Sequence, residues 1–201
     1  MSVDLAAMSL GAYLDALAAA QPVPGGGAVA GVTLAQANAL GSMVVGYAIG
    51  KPKFAAHDAV HRAAHETFER NRRAALELAA EDAKAYELLN KLWKLPKGDP
   101  LRAGFDDAVR AAIRAPEESL GLAKSTVDAL ALLVGTTSAS LASDLRIALD
   151  LAAAGARAAQ ENVRINLPSV ADEAVRAEIS TRTEAMLAAC ESTARELAAR
   201  A

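Results

Sequence analysis

Apolar residues recur at three- and four-residue intervals along most of the chain. Val, Ile and Thr never alternate with polar residues long enough to suggest a strand. Over about 5–20, Leu10, Leu14 and Leu17 share one helical face, and Ser9 is placed to accept a hydrogen bond from a first-turn N–H. Gln21-Pro-Val-Pro-Gly-Gly-Gly27 then breaks the helix. A long apolar helix is predicted over about 27–48, ending at Gly50-Lys-Pro-Lys53, where Pro52 disfavours helical backbone at Lys51. A third is predicted over about 54–94, stopped by Leu95-Pro-Lys-Gly-Asp-Pro100. Helices over about 102–134 and 138–165 follow, with Pro116 either opening a turn or kinking the fourth. Asn166-Leu-Pro168 ends the fifth, and a sixth runs from about 171 to the end. The pattern predicts an all-α chain: an antiparallel bundle of about six helices, several of them long, in a single domain spanning 1–201.

Composition sharpens this picture. The chain is 53% apolar but only 3% aromatic, and alanine carries the difference, with 51 copies in 201 residues. Few glycines and prolines, 22% charged residues and a net charge of −3 argue against collagen, a turn-rich β-sandwich and disorder. A pI near 5.7 gives no general attraction to nucleic acid. The lone Cys190 excludes an internal disulfide and any multi-cysteine metal site. Asp4 and the lack of a basic opening segment do not fit a secretory signal, so a cytoplasmic location is expected. No charge falls between Asp15 and Lys51, a stretch long enough to span a membrane. It holds Gln21, Pro22, Pro24, three glycines, Gln36 and Asn38, however, so a helix buried on all sides of a bundle is the expectation. Gly27-Ala-Val-Ala-Gly31 would let helix axes approach closely. Six helices are too few to cover such a helix fully, so a homodimer with two-fold symmetry is expected.

Five constellations have the residue types for chemistry. Pro24, Gly25, Gly26 and Gly27 lead straight into a helix, whose N-terminal N–H groups suit an anion or an oxygen gaining negative charge. No Lys-Ser/Thr follows, so this is not a phosphate-binding Walker loop, and by itself it equally reads as a helix-breaking loop. Lys51 and Lys53, at the other end of that helix, would bind a carboxylate or phosphate, or neutralise the helix dipole. The helix between them is roughly 30 Å long. One subunit therefore cannot bring both ends to one pocket unless the site spans subunits or neighbouring helices bridge them. His57, His61 and His65 share a helix face, but one straight helix cannot supply a tetrahedral ligand set, so a solvated face and no metal are expected. Asp82 and Asp144 sit among Ala and Leu, where a carboxylate is either salt-bridged to a neighbouring helix or functional. Ser143 and its neighbours Ser138 and Ser140 have no histidine at a fixed spacing for a Ser-His-Asp mechanism. Lys91-Leu-Trp-Lys-Leu-Pro-Lys97 gathers three lysines and the only tryptophan, a setting for a flat anionic ligand.

Pro22-Val-Pro-Gly-Gly-Gly27, Ile49-Gly-Lys-Pro-Lys-Phe54, Asp82-Ala-Lys-Ala-Tyr86, Leu95-Pro-Lys97, Ser143-Asp144 and Asn162-Val-Arg-Ile-Asn166 form an ordered set covering nearly the whole chain. The set resembles the methenyltetrahydrofolate cyclohydrolases and the cyclodeaminase domain of formiminotransferase-cyclodeaminase. Two departures stand out. The lysine turn of that family usually reads Gly-Lys-Lys-Lys-Tyr, where Pro52 and Phe54 stand here; Leu145 follows Ser143-Asp144 where a small residue is usual. The resemblance implies a dimeric helical bundle acting on one-carbon units of tetrahydrofolate, with no metal or redox cofactor. It implies hydrolysis of 5,10-methenyltetrahydrofolate to 10-formyltetrahydrofolate, with Asp144 and Asp82 as acid and base in either order and Lys51 orienting water or substrate. Gly25, Gly26 and Gly27 would hold the pterin or its bridge by backbone contacts, Pro24 and Ser143 would also bind substrate, and Lys53 and Lys97 would meet the glutamate tail. Cyclodeamination, another pterin carrier such as a methanopterin, and a non-catalytic pterin-binding dimer are the alternatives. The cyclodeaminase activity is commonly joined to a transferase domain not seen here, which favours the cyclohydrolase.

Overall fold

Local punctuation sets the helix ends. In the computed structural model, which describes residues 6–201, α1 spans Leu10–Ala18 and is capped as expected, with Ala12 N–H donating to Ser9 Oγ at 3.2 Å. The predicted start at residue 5 lies outside the described residues. α2 spans Gly26–Gly46, α3 Asp58–Trp93, α4 Phe105–Ala131, α5 Ala142–Asn166 and α6 Glu173–Arg200. No strand occurs among the described residues. α3 and α5 begin later than the periodicity suggests because the tighter turns Pro52–His57 and Ala139–Leu141 precede them. Asp172 caps α6, accepting from the N–H groups of Ala174 and Val175.

Helices α2 to α5 form a four-membered antiparallel ring in which α2 and α4 each pack on both α3 and α5. α6 lies outside, on α5 and α4, and α1 rests its Tyr13 and Leu17 near Ala28, Val32 and Ala79. Small residues bring the axes together. A methyl group on Gly31 would sit 2.5 Å from the Ala75 carbonyl oxygen, and one on Gly155 would sit 2.6 Å from Leu34. The core is then filled by Leu34, Val44, Phe68, Leu89, Leu130 and Leu149. Leu145, the departure beside Asp144, is one of these buried residues.

Pro116 lies inside α4 rather than opening a turn. It has no N–H to give the carbonyl of Ala112, one turn earlier. Asn166, at the end of α5, supplies the missing donor: its Nδ2 reaches Ala112 O at 3.2 Å.

Within one protomer α2 is covered over only part of its circumference, as expected of a chain of six helices. Its buried side carries Leu34, Ala37, Asn38, Gly41 and Val45, but Val29, Gln36, Ala39 and, just beyond its end, Tyr47 are exposed. α2 is long and apolar enough to cross a membrane, and 56% of its most apolar stretch is buried within the bundle. Two neighbouring helices can cover only part of a cylinder, which leaves the outer stripe bare.

Candidate functional site

The entry to α2 is built for close contact. A cis Val23–Pro24 bond precedes Gly25, which is extended and offers no capping side chain, so the first N–H groups of α2 have no cap. These groups face a cavity of about 230 Å3, lined among others by Gly25, Gly26, Gly27, Asp82, Tyr86, Asn162 and Asn166. The glycines make room for side chains of two other helices. A methyl group on Gly27 would lie 1.8 Å from Asp82 Oδ2, and one on Gly26 would lie 3.2 Å from Asn162 Oδ1. The Asp82 carboxylate therefore rests directly on the first turn of α2.

Asp82 comes from the middle of α3, with Ala79 and Ala83 beside it. Among the described residues no cation or hydrogen-bond donor pairs with it. Burial pushes its carboxyl up to about 6 from an ordinary 3.8. Across the cleft, Asn162 ties its Nδ2 to Ala158 O at 2.8 Å, which turns its Oδ1 toward Gly26. Asn166 ties its Nδ2 to both Ala112 O and Asn162 O, and its buried Oδ1 has no partner. Tyr86 forms the outer wall and meets Trp93 edge-on, ring centres 6.5 Å apart. An unpaired carboxyl, an uncapped helix entrance and the Asn162 amide thus border one narrow space, suited to a cationic flat ligand.

The other candidates lie elsewhere in the chain. Pro24 is buried at the bend behind the cleft. Lys51 and Lys53 are exposed at the opposite end of α2, with Lys53 Nζ 5.3 Å above the Phe54 ring. Ser143 and Asp144 open α5, eighteen residues before Asn162, a rise of roughly 27 Å. Within one protomer Asp144 and Asp82 therefore do not meet, because α5 carries one end of the bundle to the other. Lys97 sits in the α3–α4 turn, beside Asp99 and Arg102 and outside the cavity. The solvated histidine face is corrected at His61, which is fully buried and held below the ordinary 6.5 chiefly by burial. His61 Nε2 lies 3.1 Å from Thr136 Oγ1; that hydroxyl donates to Leu132 O, so the ring nitrogen carries the proton and Nδ1 is left bare. No group of three metal-ligating side chains occurs among the described residues.

The model of one protein family, formiminotransferase-cyclodeaminase, matches residues 9–185. The chain belongs to the formiminotransferase-cyclodeaminase family. Within it, the methenyltetrahydrofolate cyclohydrolase of Methylorubrum extorquens is 30% identical over 88% of this chain and 87% of that protein. The formimidoyltransferase-cyclodeaminase of Sus scrofa is 32% identical over 82% of this chain, which spans only 31% of that protein. The crystal structure of a formiminotetrahydrofolate cyclodeaminase from Thermotoga maritima superposes with a TM-score of 0.86 at 28% identity, covering 96% of this chain and 97% of that one.

Three cleft residues of this family member were visible in the sequence only as parts of motifs: Tyr86, Asn162 and Asn166. Asn162 and Asn166 are spaced i, i+4 at a helix end, a signal that they share a face. Nothing local marks Ala112 or Pro116 as their partners, since that contact joins residues 54 apart.

Proposed function

We propose that the chain hydrolyses 5,10-methenyltetrahydrofolate to 10-formyltetrahydrofolate. The observation carrying this reading is Asp82: a carboxyl with no counter-charge, desolvated against a helix N-terminus in a narrow cleft. A cationic amidinium would supply the missing charge. Water adds to the bridge carbon and gives its proton to Asp82. The α2 N–H groups stabilise the oxygen as it gains negative charge. The proton on Asp82 passes to N5 as the C–N5 bond breaks, and the hydroxyl proton leaves to solvent as the formyl group forms. One proton is released overall. The bridge carbon is already electrophilic, so no metal or redox cofactor is needed.

The near end-to-end match with the Methylorubrum extorquens cyclohydrolase favours hydrolysis over cyclodeamination. The Thermotoga maritima neighbour favours the second reading, formation of the same ring with loss of ammonia. The reaction is assigned to a soluble cytoplasmic homodimer.

The site is completed across that dimer. The exposed Val29 and Tyr47, with the half-buried Leu40 and Met43 between them, support pairing of α2 with the α2 of a second copy. Antiparallel pairing about a two-fold axis brings Lys51, Lys53, Ser143 and Asp144 of one copy toward the cleft of the other. In that arrangement Lys51 and Asp144 orient water or supply the second proton-transfer group. Lys97 then meets the glutamate tail outside the cleft.

The test is loss of the methenyl absorbance on adding protein, run beside a formimino substrate releasing ammonia. Mixing inactive Asp82→Asn and Lys51→Ala chains is expected to restore about a quarter of wild-type activity, because half the dimers then hold one intact site. Absence of turnover with every one-carbon substrate refutes the function, and absence of restoration refutes the shared site.

A further inference from the structure

Between α2 and α3 the backbone on both sides of Lys51 is tied down. Gly50 takes the left-handed conformation, with φ +70°, that turns the chain back. Its N–H donates to Asp58 Oδ1 at 2.7 Å. The Lys51 N–H donates to Ala48 O at 3.2 Å, and the Lys51 carbonyl accepts from the Phe54 N–H at 2.9 Å. Pro52 keeps Lys51 extended, at φ −88° and ψ 130°. The Phe54 ring meets the buried His61 edge-on, centres 6.4 Å apart, and His61 is bonded to Thr136 in the α4–α5 connection. The Lys51 side chain has no such support. It is exposed, and among the described residues no carboxylate pairs with it. The turn is a firm mount for a cation that its own subunit does not use.

Asp58 is the part of this mount that α3 supplies. It is the first residue of that helix, and both its oxygens are engaged: Oδ1 by Gly50 and Oδ2 by Arg62 Nε at 2.8 Å. The Gly50 N–H, ahead of Arg62, holds its carboxyl below the ordinary 3.8. The Arg62 pair is exposed and contributes little by itself. The Gly50 bond is different in kind, because it fastens the turn to a helix eight residues further on. Lysine is a point charge on a flexible four-carbon stem, so its ammonium is placed only as well as its backbone. An acidic residue in the first turn of α3 also favours the helix dipole. The two roles need different things. The dipole needs a negative charge, whereas the Gly50 N–H needs only an oxygen acceptor, which asparagine also offers.

We infer that Asp58 is a positioning residue for the reaction: by accepting from the Gly50 N–H it sets Lys51 for the cleft of a second copy of the chain. This rests on the shared site proposed above.

The experiment follows loss of the methenyl chromophore in the intact protein, with the thermal midpoint of each variant recorded. Asp58→Ala should lower kcat at least about tenfold with KM within about twofold, since misplacing an orienting group by about 1 Å can lower the rate roughly 100-fold. Asp58→Asn should return kcat to within about threefold of wild type, because the acceptor is kept although the charge is gone. Both midpoints should stay within a few degrees of wild type. Mixed one to one with Asp82→Asn, Asp58→Ala should recover about a quarter of wild-type activity, because half the dimers then pair an intact cleft with an intact lysine turn. Mixed with Lys51→Ala, it should show only the average of the two separate proteins, because both lesions fall in the same half of the site.

An Asp58→Ala kcat within threefold of wild type overturns the inference. So does Asp58→Asn as slow as Asp58→Ala, which assigns the residue to the charge alone. So does an Asp58→Ala chain too unstable to assay, which makes the contact structural. Recovery with Lys51→Ala in place of Asp82→Asn overturns it too, by placing Asp58 with its own cleft. If Lys51→Ala and Asp82→Asn do not restore each other, the shared site fails first and the inference falls with it.

Discussion

Gly27 and Gly31 stand one turn apart on α2, and the same alanine substitution should do opposite things at the two positions. A methyl group at Gly31 meets the Ala75 carbonyl oxygen at 2.5 Å and the Ala79 Cβ at 2.6 Å. Both belong to the α3 wall and neither can rotate away, so the helices must separate. Overpacking of this kind costs about 1–3 kcal/mol, which outweighs the roughly 1 kcal/mol that alanine gains over glycine inside a helix. At Gly27 the obstruction is the far end of a side chain, Asp82 Oδ2 at 1.8 Å and its Cγ at 2.3 Å. The carboxylate can swing out, so Gly27→Ala should fold with a urea midpoint close to wild type. To reach 3.0 Å, Oδ2 must retreat by about 1.2 Å, and misplacing a reacting group by about 1 Å can lower the rate roughly 100-fold. The assay is paired: urea unfolding for stability, and kcat/KM from loss of the methenyl chromophore. Gly31→Ala should lose stability first; Gly27→Ala should lose activity at nearly full stability. The reasoning is refuted if Gly27→Ala turns over within threefold of wild type, or if it unfolds as easily as Gly31→Ala.

Asp82 also links stability to pH. Its folded carboxyl sits near 6 against an ordinary 3.8, so the folded state binds the proton more tightly, and the associated stability is fully present below 3.8 and lost as pH rises through about 6. Asp82→Asn should therefore be more stable than wild type at pH 8 by up to about 3 kcal/mol, with the gap closing below pH 4 in urea titrations, while activity falls about 100-fold or more. In wild type, kcat/KM should rise with pH through about 6, and a flat profile there removes Asp82 as the base. Pro116→Ala returns an N–H to the Ala112 carbonyl, so Asn166→Ala should lower the unfolding midpoint less in that background than in wild type; additive effects in this double-mutant cycle contradict the bond that spans α4 and α5.

The sequence by itself determined the helices, because their boundaries are local events. Ser9, the Pro-Gly run before α2, Pro52 and Pro168 act within a few residues of where they stand. It also singled out Asp82 as a carboxylate in an apolar setting and the glycines ahead of α2 as a helix entrance. What it did not hold was register. Helical spacing says which residues share a face but not which neighbour covers it, so His61 read as solvated although Phe54 and Thr136 enclose it. The same limit applied to Asp144, whose apolar neighbours mark the bundle interior at the end remote from Asp82. Only the packing of α2 against α3 and α5, set by close contacts at Gly31 and Gly155, fixed which turns stand level. That alignment brought Gly27, Asp82, Asn162 and Asn166 to one cleft, since antiparallel rods in van der Waals contact cannot slide past a backbone atom 2.5 Å away from where a single methyl group would sit.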